Sequence, residues 1–209
     1  MGTGIYIVHL VVLQMEYDVA KREIRADKVR NDLDSLSVRF LSIVEKYVDY
    51  VIISGYVSIL LGRSRATEDV DLFVKPLSKE SFFALYDELK DNGFWCLNAE
   101  ESNEVYDYLL KSTAIRFAEI GKSVPNFEMK FPKDSLDEES FDTFIMVILP
   151  YGKIKISSLE RQIAFKRYFL KSDKDNEDAL FLEEKFKNLI DFKKVDTYRE
   201  LIRVKRGSI

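Results

Sequence analysis

A single cysteine, Cys96, and a single histidine, His9, stand among the 209 residues. One cysteine excludes a disulfide framework, and the pair cannot build a structural zinc site of Cys and His ligands. Catalysis by a histidine triad or a Cys–His dyad would have to recruit His9, which lies in an apolar N-terminal run. Any metal is therefore expected on oxygen ligands. Only eight glycines are present, with no Gly-x-x-x-x-Gly-Lys run, which excludes a P-loop NTPase. Proline is scarcer still, at four, and neither a low-complexity linker nor an internal repeat is visible. The longest apolar run, residues 5–13, falls well short of the roughly 20 residues of a membrane span. The first four residues also lack the basic segment of a signal peptide, so no membrane association and a cytoplasmic protein are expected. Residues 1–14 precede Met15, where a second start is conceivable from sequence alone.

What is there reads as globular: 46% hydrophobic, 13% aromatic and 33% charged residues, enough for one core and a solvated surface. A net charge of −4 argues against coating by nucleic acid through bulk electrostatics. Charge is unevenly placed, however. Residues 134–142 (DSLDEESFD) carry five acids and no base, the pattern of a solvated loop, and residues 193–206 carry six Lys or Arg against Asp196 and Glu200.

Residues 16–48 are rich in charge, with Leu33, Leu36, Phe40, Val44 and Val48 at helical steps, and predict one amphipathic helix. A short β-branched run at 50–54 ends at Gly55, and one or two helical turns follow to Gly62. A strand over 69–75 is stopped by Pro76, and Ser78 is placed to cap a helix through Phe82 and Leu89. Strands are expected at 94–97, 114–120 and 127–131, a helix near 104–111, and a hairpin at 143–156 turning on Tyr151 and Gly152. Ser157 and Glu160 form a potential capping box for a helix through Ile163, Phe165 and Phe169. Two further amphipathic helices follow, with Leu180, Leu182, Phe186, Leu189 and Ile190 as buried candidates. The expected fold is mixed α/β (α+β): a core with an N-terminal helix over 1–156 and a helical part over 157–209.

Chemistry concentrates in Ile53-Ser54-Gly55 and in the stretch from Arg63 to Phe73, RSRATEDVDLF. In a strand, residues two apart point the same way, so Asp69 and Asp71 share a face while Val70 and Leu72 enter the core. Two converging carboxylates suit a hard divalent cation such as Mg²⁺ together with substrate phosphates. A glycine at a strand-to-helix turn lets backbone N–H groups and the Ser54 hydroxyl approach a phosphate.

In this order and spacing the pieces resemble the nucleotidyltransferase superfamily with the polymerase-beta-like fold: an apolar residue, Gly with Gly or Ser, a gap, then Asp-apolar-Asp. Here Ser54-Gly55 inverts the usual order. Arg65, Thr67, Asp69 and Asp71 are similar to the branch of abortive-infection and toxin–antitoxin nucleotidyltransferases. So are Lys166 in IAFKRYF and Asp175-Asn176-Glu177-Asp178, with Lys174 where Arg is common. The resemblance covers residues 50–185. It implies a mixed sheet with flanking helices, Mg²⁺ or Mn²⁺ on Asp69 and Asp71, and transfer of a nucleoside monophosphate from an NTP such as ATP. It implies nucleotide contacts from Ser54, Gly55, Arg65, Thr67 and Lys166. A tRNA end, a protein side chain and a small molecule all fit as acceptor, and an antitoxin-like protein partner belongs to the toxin-like branch. The basic residues of 193–206 lean toward RNA.

Two metals usually need a third carboxylate. Glu128 is preferred because it alternates with Phe127 and Met129 and leaves their apolar face, with Glu119 as the rival. Lys166, two and a half turns into its helix, is expected to face the triphosphate, and Lys166→Met to weaken NTP binding without loss of folding. The competing expectation is a catalytically silent member of the fold that binds a nucleotide or a protein partner, marked by the lack of a third carboxylate.

Overall fold

A computed structural model of the chain describes residues 14–207. The apolar run at 5–13 and His9 lie outside them. Among the described residues no helix is long and apolar enough to cross a membrane.

The described residues open on a hairpin, where the charges of residues 16–48 suggested one long helix. Strands β1 (Met15–Asp18) and β2 (Glu23–Ala26) pair antiparallel, and helix α1 (Asp32–Val44) starts only after them. In β2, Ile24 and Ala26 are buried while Arg25 is exposed. This period of two is too short to stand out inside a charge-rich window. Asn31 sets the helix start: it accepts from the Asp34 amide at 2.7 Å, and the Asp34 carboxylate accepts from the Asn31 amide at 3.2 Å. That reciprocal cap satisfies two amide donors of the kind a helix start leaves without an intrahelical partner.

Next come β3 (Tyr50–Ile52), α2 (Gly55–Leu60), β4 (Asp69–Val74), α3 (Lys79–Asp91), β5 (Phe94–Cys96), α4 (Ser102–Leu110), β6 (Ile115–Glu119) and β7 (Asn126–Lys130). Ser78 caps α3 by accepting from the Ser81 amide at 3.2 Å. The acidic stretch 134–142 is no solvated loop. It forms two short helices, α5 (Ser135–Glu138) and α6 (Ser140–Thr143), in which Leu136, Asp137 and Ser140 are buried. Asp137 tolerates burial because Arg161 and Arg206 pair with it, at 3.0 and 2.8 Å. Strands β8 (Ile145–Leu149) and β9 (Gly152–Ile156) form the expected hairpin.

Helix α7 (Leu159–Phe165) runs into a single π-helical turn, Lys166–Leu170, and α8 (Asp173–Lys185) and α9 (Phe192–Arg206) complete the chain. The cap of α7 is Ser158, one residue beyond the serine expected: its hydroxyl accepts from the Arg161 amide at 3.3 Å. Ser157 is still tied to the sheet by its amide, which donates to the Ile52 carbonyl, and its hydroxyl accepts from Gln162 Nε2. Glu160 accordingly accepts from the Asp191 amide instead of closing a capping box. Leu182, Phe186 and Ile190 are buried as expected, whereas Phe169, Leu180 and Leu189 are exposed.

The nine strands among the described residues form one mixed sheet in the order β1-β2-β8-β9-β3-β4-β7-β6-β5. This is the mixed α/β class expected. The site depends on the middle of that order, where β4 runs parallel to β7 with Asp69 opposite Asn126 and Asp71 opposite Glu128. Val70, Leu72, Phe127 and Met129 are fully buried on the other face. There Phe40 of α1 stacks on Phe127, rings nearly parallel with centroids 3.9 Å apart, and Phe94 meets Phe40 edge-on. One face of β4 and β7 is thus fixed by aromatic packing, which leaves their polar residues on the opposite face.

Candidate functional site

The turn between β3 and α2 carries Ser54. The Ile53 amide donates to the Asp71 carbonyl at 2.9 Å, holding the turn to β4. Ser54 then adopts φ 64°, ψ −140°, a conformation that favours glycine. The inverted order Ser54-Gly55 therefore has a physical cost, with serine at the position whose backbone suits glycine. Ser54→Gly is expected to stabilise the chain by about 1 kcal/mol through release of that strain. Denaturant unfolding checks it, and an unchanged or lower midpoint contradicts it. Gly55 answers a different need. A β-carbon there would overlap the Arg65 guanidinium, which lies against it.

Three carboxylates share the polar face. The Thr67 hydroxyl donates to Asp69 Oδ1 at 3.2 Å. Lys130 Nζ stands 3.3 Å from Asp71 Oδ1 and 3.2 Å from Glu128 Oε1, and Arg116 closes on the other Glu128 oxygen at 2.5 Å. Burial pushes the Asp71 carboxyl above the usual range, with Asp69 and Glu128 adding to the effect against the pull of Lys130. Glu128 goes the other way: burial would raise it, but the charges of Lys130 and Arg116 together hold it low. Lys130, flanked by two carboxylates, is raised despite its own burial. Glu119, the rival third acid, is not brought here, since its carboxylate pairs with Arg39 and Lys122, each at 2.7 Å. Among the described residues, no three acid, His or Cys side chains stand as a ready metal-binding group. Lys130 occupies the space between Asp71 and Glu128. Sequence reading passed over Lys130, although its signal was available: it lies two residues from Glu128 on the same face.

A second charged cluster gathers around Asp178. Its fully buried carboxylate receives Lys166 Nζ at 2.7 Å, Arg65 Nε at 3.1 Å and Nη2 at 3.0 Å, and Arg63 Nη1. Lys166 also reaches Asp175 at 3.5 Å, and Arg63 reaches Glu177. Lys166 is therefore a wholly buried cation with partners of its own, rather than an ammonium presented to open solvent. Burial alone would raise the Asp178 carboxyl, but the hydrogen bond and charge of Lys166, joined by Arg65 and Arg63, hold it below the usual range. The cluster ties the loop before β4 to α8 and, through Arg65, to Gly55.

Two cavities adjoin at Ser54. One, of about 370 Å³, collects Ser54, Gly55, Arg65, Thr67, Asp69 and Lys174. The other, of about 210 Å³, takes in Ser54, Asp71, Lys130, Phe165 and Lys166. The strand therefore presents its two aspartates to different but neighbouring spaces.

Neither a family model nor a curated relative matches the chain. Among solved structures it is similar to an antigenic nucleotidyltransferase-like protein from Paracoccidioides brasiliensis, at 19% identity over 83% of this chain and 88% of that one, with a TM-score of 0.48. At that distance, chemistry has to be argued from the residues of this chain.

Proposed function

We propose that the chain is a metal-dependent nucleotidyltransferase, moving a nucleoside monophosphate from an NTP to an acceptor. The observation that carries this reading is the placement of Asp69 and Asp71 on one strand beside the Ser54-Gly55 turn, with Glu128 in register on the neighbouring strand. The donor set fits a hard divalent cation in kind: three carboxylates on one face, of which Asp71 is raised by burial first and by Asp69 and Glu128 second, against the pull of Lys130. Asp69, Asp71 and Glu128 would hold Mg²⁺ or Mn²⁺, with Lys130 turned aside. The metal would stabilise charge on the attacking and leaving oxygens. Ser54, Gly55, Thr67 and Lys174 line the larger cavity, and we place the triphosphate there. Among the described residues the Lys174 ammonium has no ion pair, so it is available to a phosphate. Arg65 borders the same cavity while held by Asp178, and Lys166 would have to leave Asp178 to reach a phosphate.

The basic C-terminal residues give less support to an RNA acceptor than their sequence suggested. Arg206 pairs with Asp134 and Asp137, Lys205 with Ser135, and Arg199 and Arg203 with acids of their own helix. A second reading, nucleotide binding without turnover, is favoured by Lys130, which pairs in place with two of the three carboxylates, Asp71 and Glu128. Release of pyrophosphate from each NTP, with Mg²⁺, Mn²⁺ or chelator and a panel of tRNA, protein and small acceptors, separates the two. Metal-dependent release supports transfer. NTP binding with no release under any acceptor supports the silent reading.

A further inference from the structure

The 210 Å³ cavity has a chemistry of its own. Five cationic side chains and two carboxylates border it. Four of the cations are already committed: Lys130 to Asp71 and Glu128, Lys166 to Asp178, and Arg161 and Arg206 to Asp137. Lys133 is the exception. Its side chain is exposed, and among the described residues its ammonium makes no ion pair. Phe165, Phe169 and Leu170 border the cavity as well, the last two supplied by the π-helical turn, and the Arg161 guanidinium covers the Phe165 ring at 4.1 Å from its centroid. Phe169 is 40% and Leu170 44% exposed, large apolar surface left uncovered at a cavity mouth. π-turns within helices recur at functional sites, where they reposition side chains.

In-line displacement at phosphorus places the entering and leaving oxygens on opposite sides of the atom attacked. With the triphosphate beside Asp69, Ser54 and Lys174, the entering oxygen must come from another direction. The cavity that shares Ser54 and carries Asp71 provides one. Its volume lies below the roughly 300–1,000 Å³ of pockets for drug-sized ligands, so it suits a compact molecule.

We propose that this cavity is the acceptor pocket, and that the acceptor is a small phosphorylated molecule with a flat apolar ring, its phosphate on Lys133 and its ring against Phe169 and Leu170. The inference rests on the nucleotidyl-transfer reading. In the step it serves, an acceptor hydroxyl oxygen forms a bond to the α-phosphorus of the NTP. The bond from that phosphorus to the bridging oxygen of pyrophosphate breaks, pyrophosphate leaves with the electron pair, and the hydroxyl proton passes to water.

Calorimetric titration of the full chain with phenyl phosphate, inorganic phosphate and, separately, Mg²⁺ with α,β-methylene-ATP tests this. Phenyl phosphate is expected to bind about tenfold tighter than inorganic phosphate, through burial of the ring. Lys133→Met should weaken both by about tenfold while leaving the nucleotide analogue unaffected. Phe169→Ala should remove the advantage of the ring alone; both side chains are exposed, so neither variant threatens the fold. Phosphate binding indifferent to Lys133→Met overturns the proposal. So does competition between phenyl phosphate and the nucleotide analogue, for the cavity would then belong to the nucleotide. Binding of phenyl phosphate that depends on Lys133, with no binding of the nucleotide analogue, would leave an anion pocket standing and overturn the transfer reading instead.

Discussion

If the proposed transfer holds, the double variant Asp69→Asn, Asp71→Asn is expected to lose pyrophosphate release from NTP by about a thousand-fold or more, since charge stabilisation by a metal held there would contribute several kcal/mol to the transition state. The fold survives this change. Both side chains lie on the half-buried polar face of β4, while Val70 and Leu72 fill the core behind them. Stability at neutral pH should hold or rise. A carboxyl whose folded pKa is raised, as burial does to Asp71, costs stability as pH climbs from its unfolded value through its folded value. Asparagine removes that cost, so the gain in the variant appears above the acid range and disappears below it. Thermal melts from pH 3 to 7 alongside the release assay check both halves. Turnover that persists in the double variant would place catalysis elsewhere.

Lys166→Met is expected to destabilise the fold by about 3–5 kcal/mol, the usual consequence of removing one partner from a buried ion pair. The side chains of Lys166 and Asp178 are 1% and 0% exposed. This replaces the expectation from sequence that the variant keeps its stability and loses only affinity. The pH dependence follows from Asp178, whose folded pKa is depressed. Its contribution to stability is present above the unfolded carboxylate value and is lost as pH falls through the folded one. In wild type the melting temperature should therefore fall on acidification below about pH 4, and in Lys166→Met that slope should flatten. Equal midpoints at pH 7 for wild type and variant would contradict the burial of this pair.

Much of the architecture could be read from the sequence where a local signal coincided with the tertiary outcome. Asp69 to Val74 alternates in the manner of a strand backed by a core, and Ser78 caps α3 by accepting from the Ser81 amide, as its place before the apolar periodicity suggests. The misreadings came where two local patterns overlapped. The hairpin of β1 and β2 is visible only in Ile24 and Ala26, and its partner β8 lies more than a hundred residues away. Ser157 with Glu160 matches the capping-box pattern, but the Ser157 amide is claimed by the Ile52 carbonyl and the cap falls to Ser158. At the site, spacing placed Asp69 and Asp71 on one face, and alternation along β7 put Glu128 on that strand's polar face. The partners that neutralise charge were not legible in the same way. Asp178 meets Arg63, Arg65 and Lys166 from three separate segments, and no window of sequence contains all of them. The same holds for the burial of Asp137 by Arg161 and Arg206.

The strand order also bears on when the site can form. Asp71 needs β7, 57 residues onward, and the Ser54 turn is held from the sheet side by β3, whose parallel neighbour β9 pairs Ile52 with Ile156. Parallel neighbours so far apart in sequence close large loops before they gain contacts, which slows their pairing and delays it relative to local helices. The helices can thus be largely in place while the carboxylates of β4 and β7 are still apart. A chain emerging from the ribosome would gain this constellation only after Ile156, and its anchoring to α8 only after Asp178. Assembly of the site therefore reports completion of the fold.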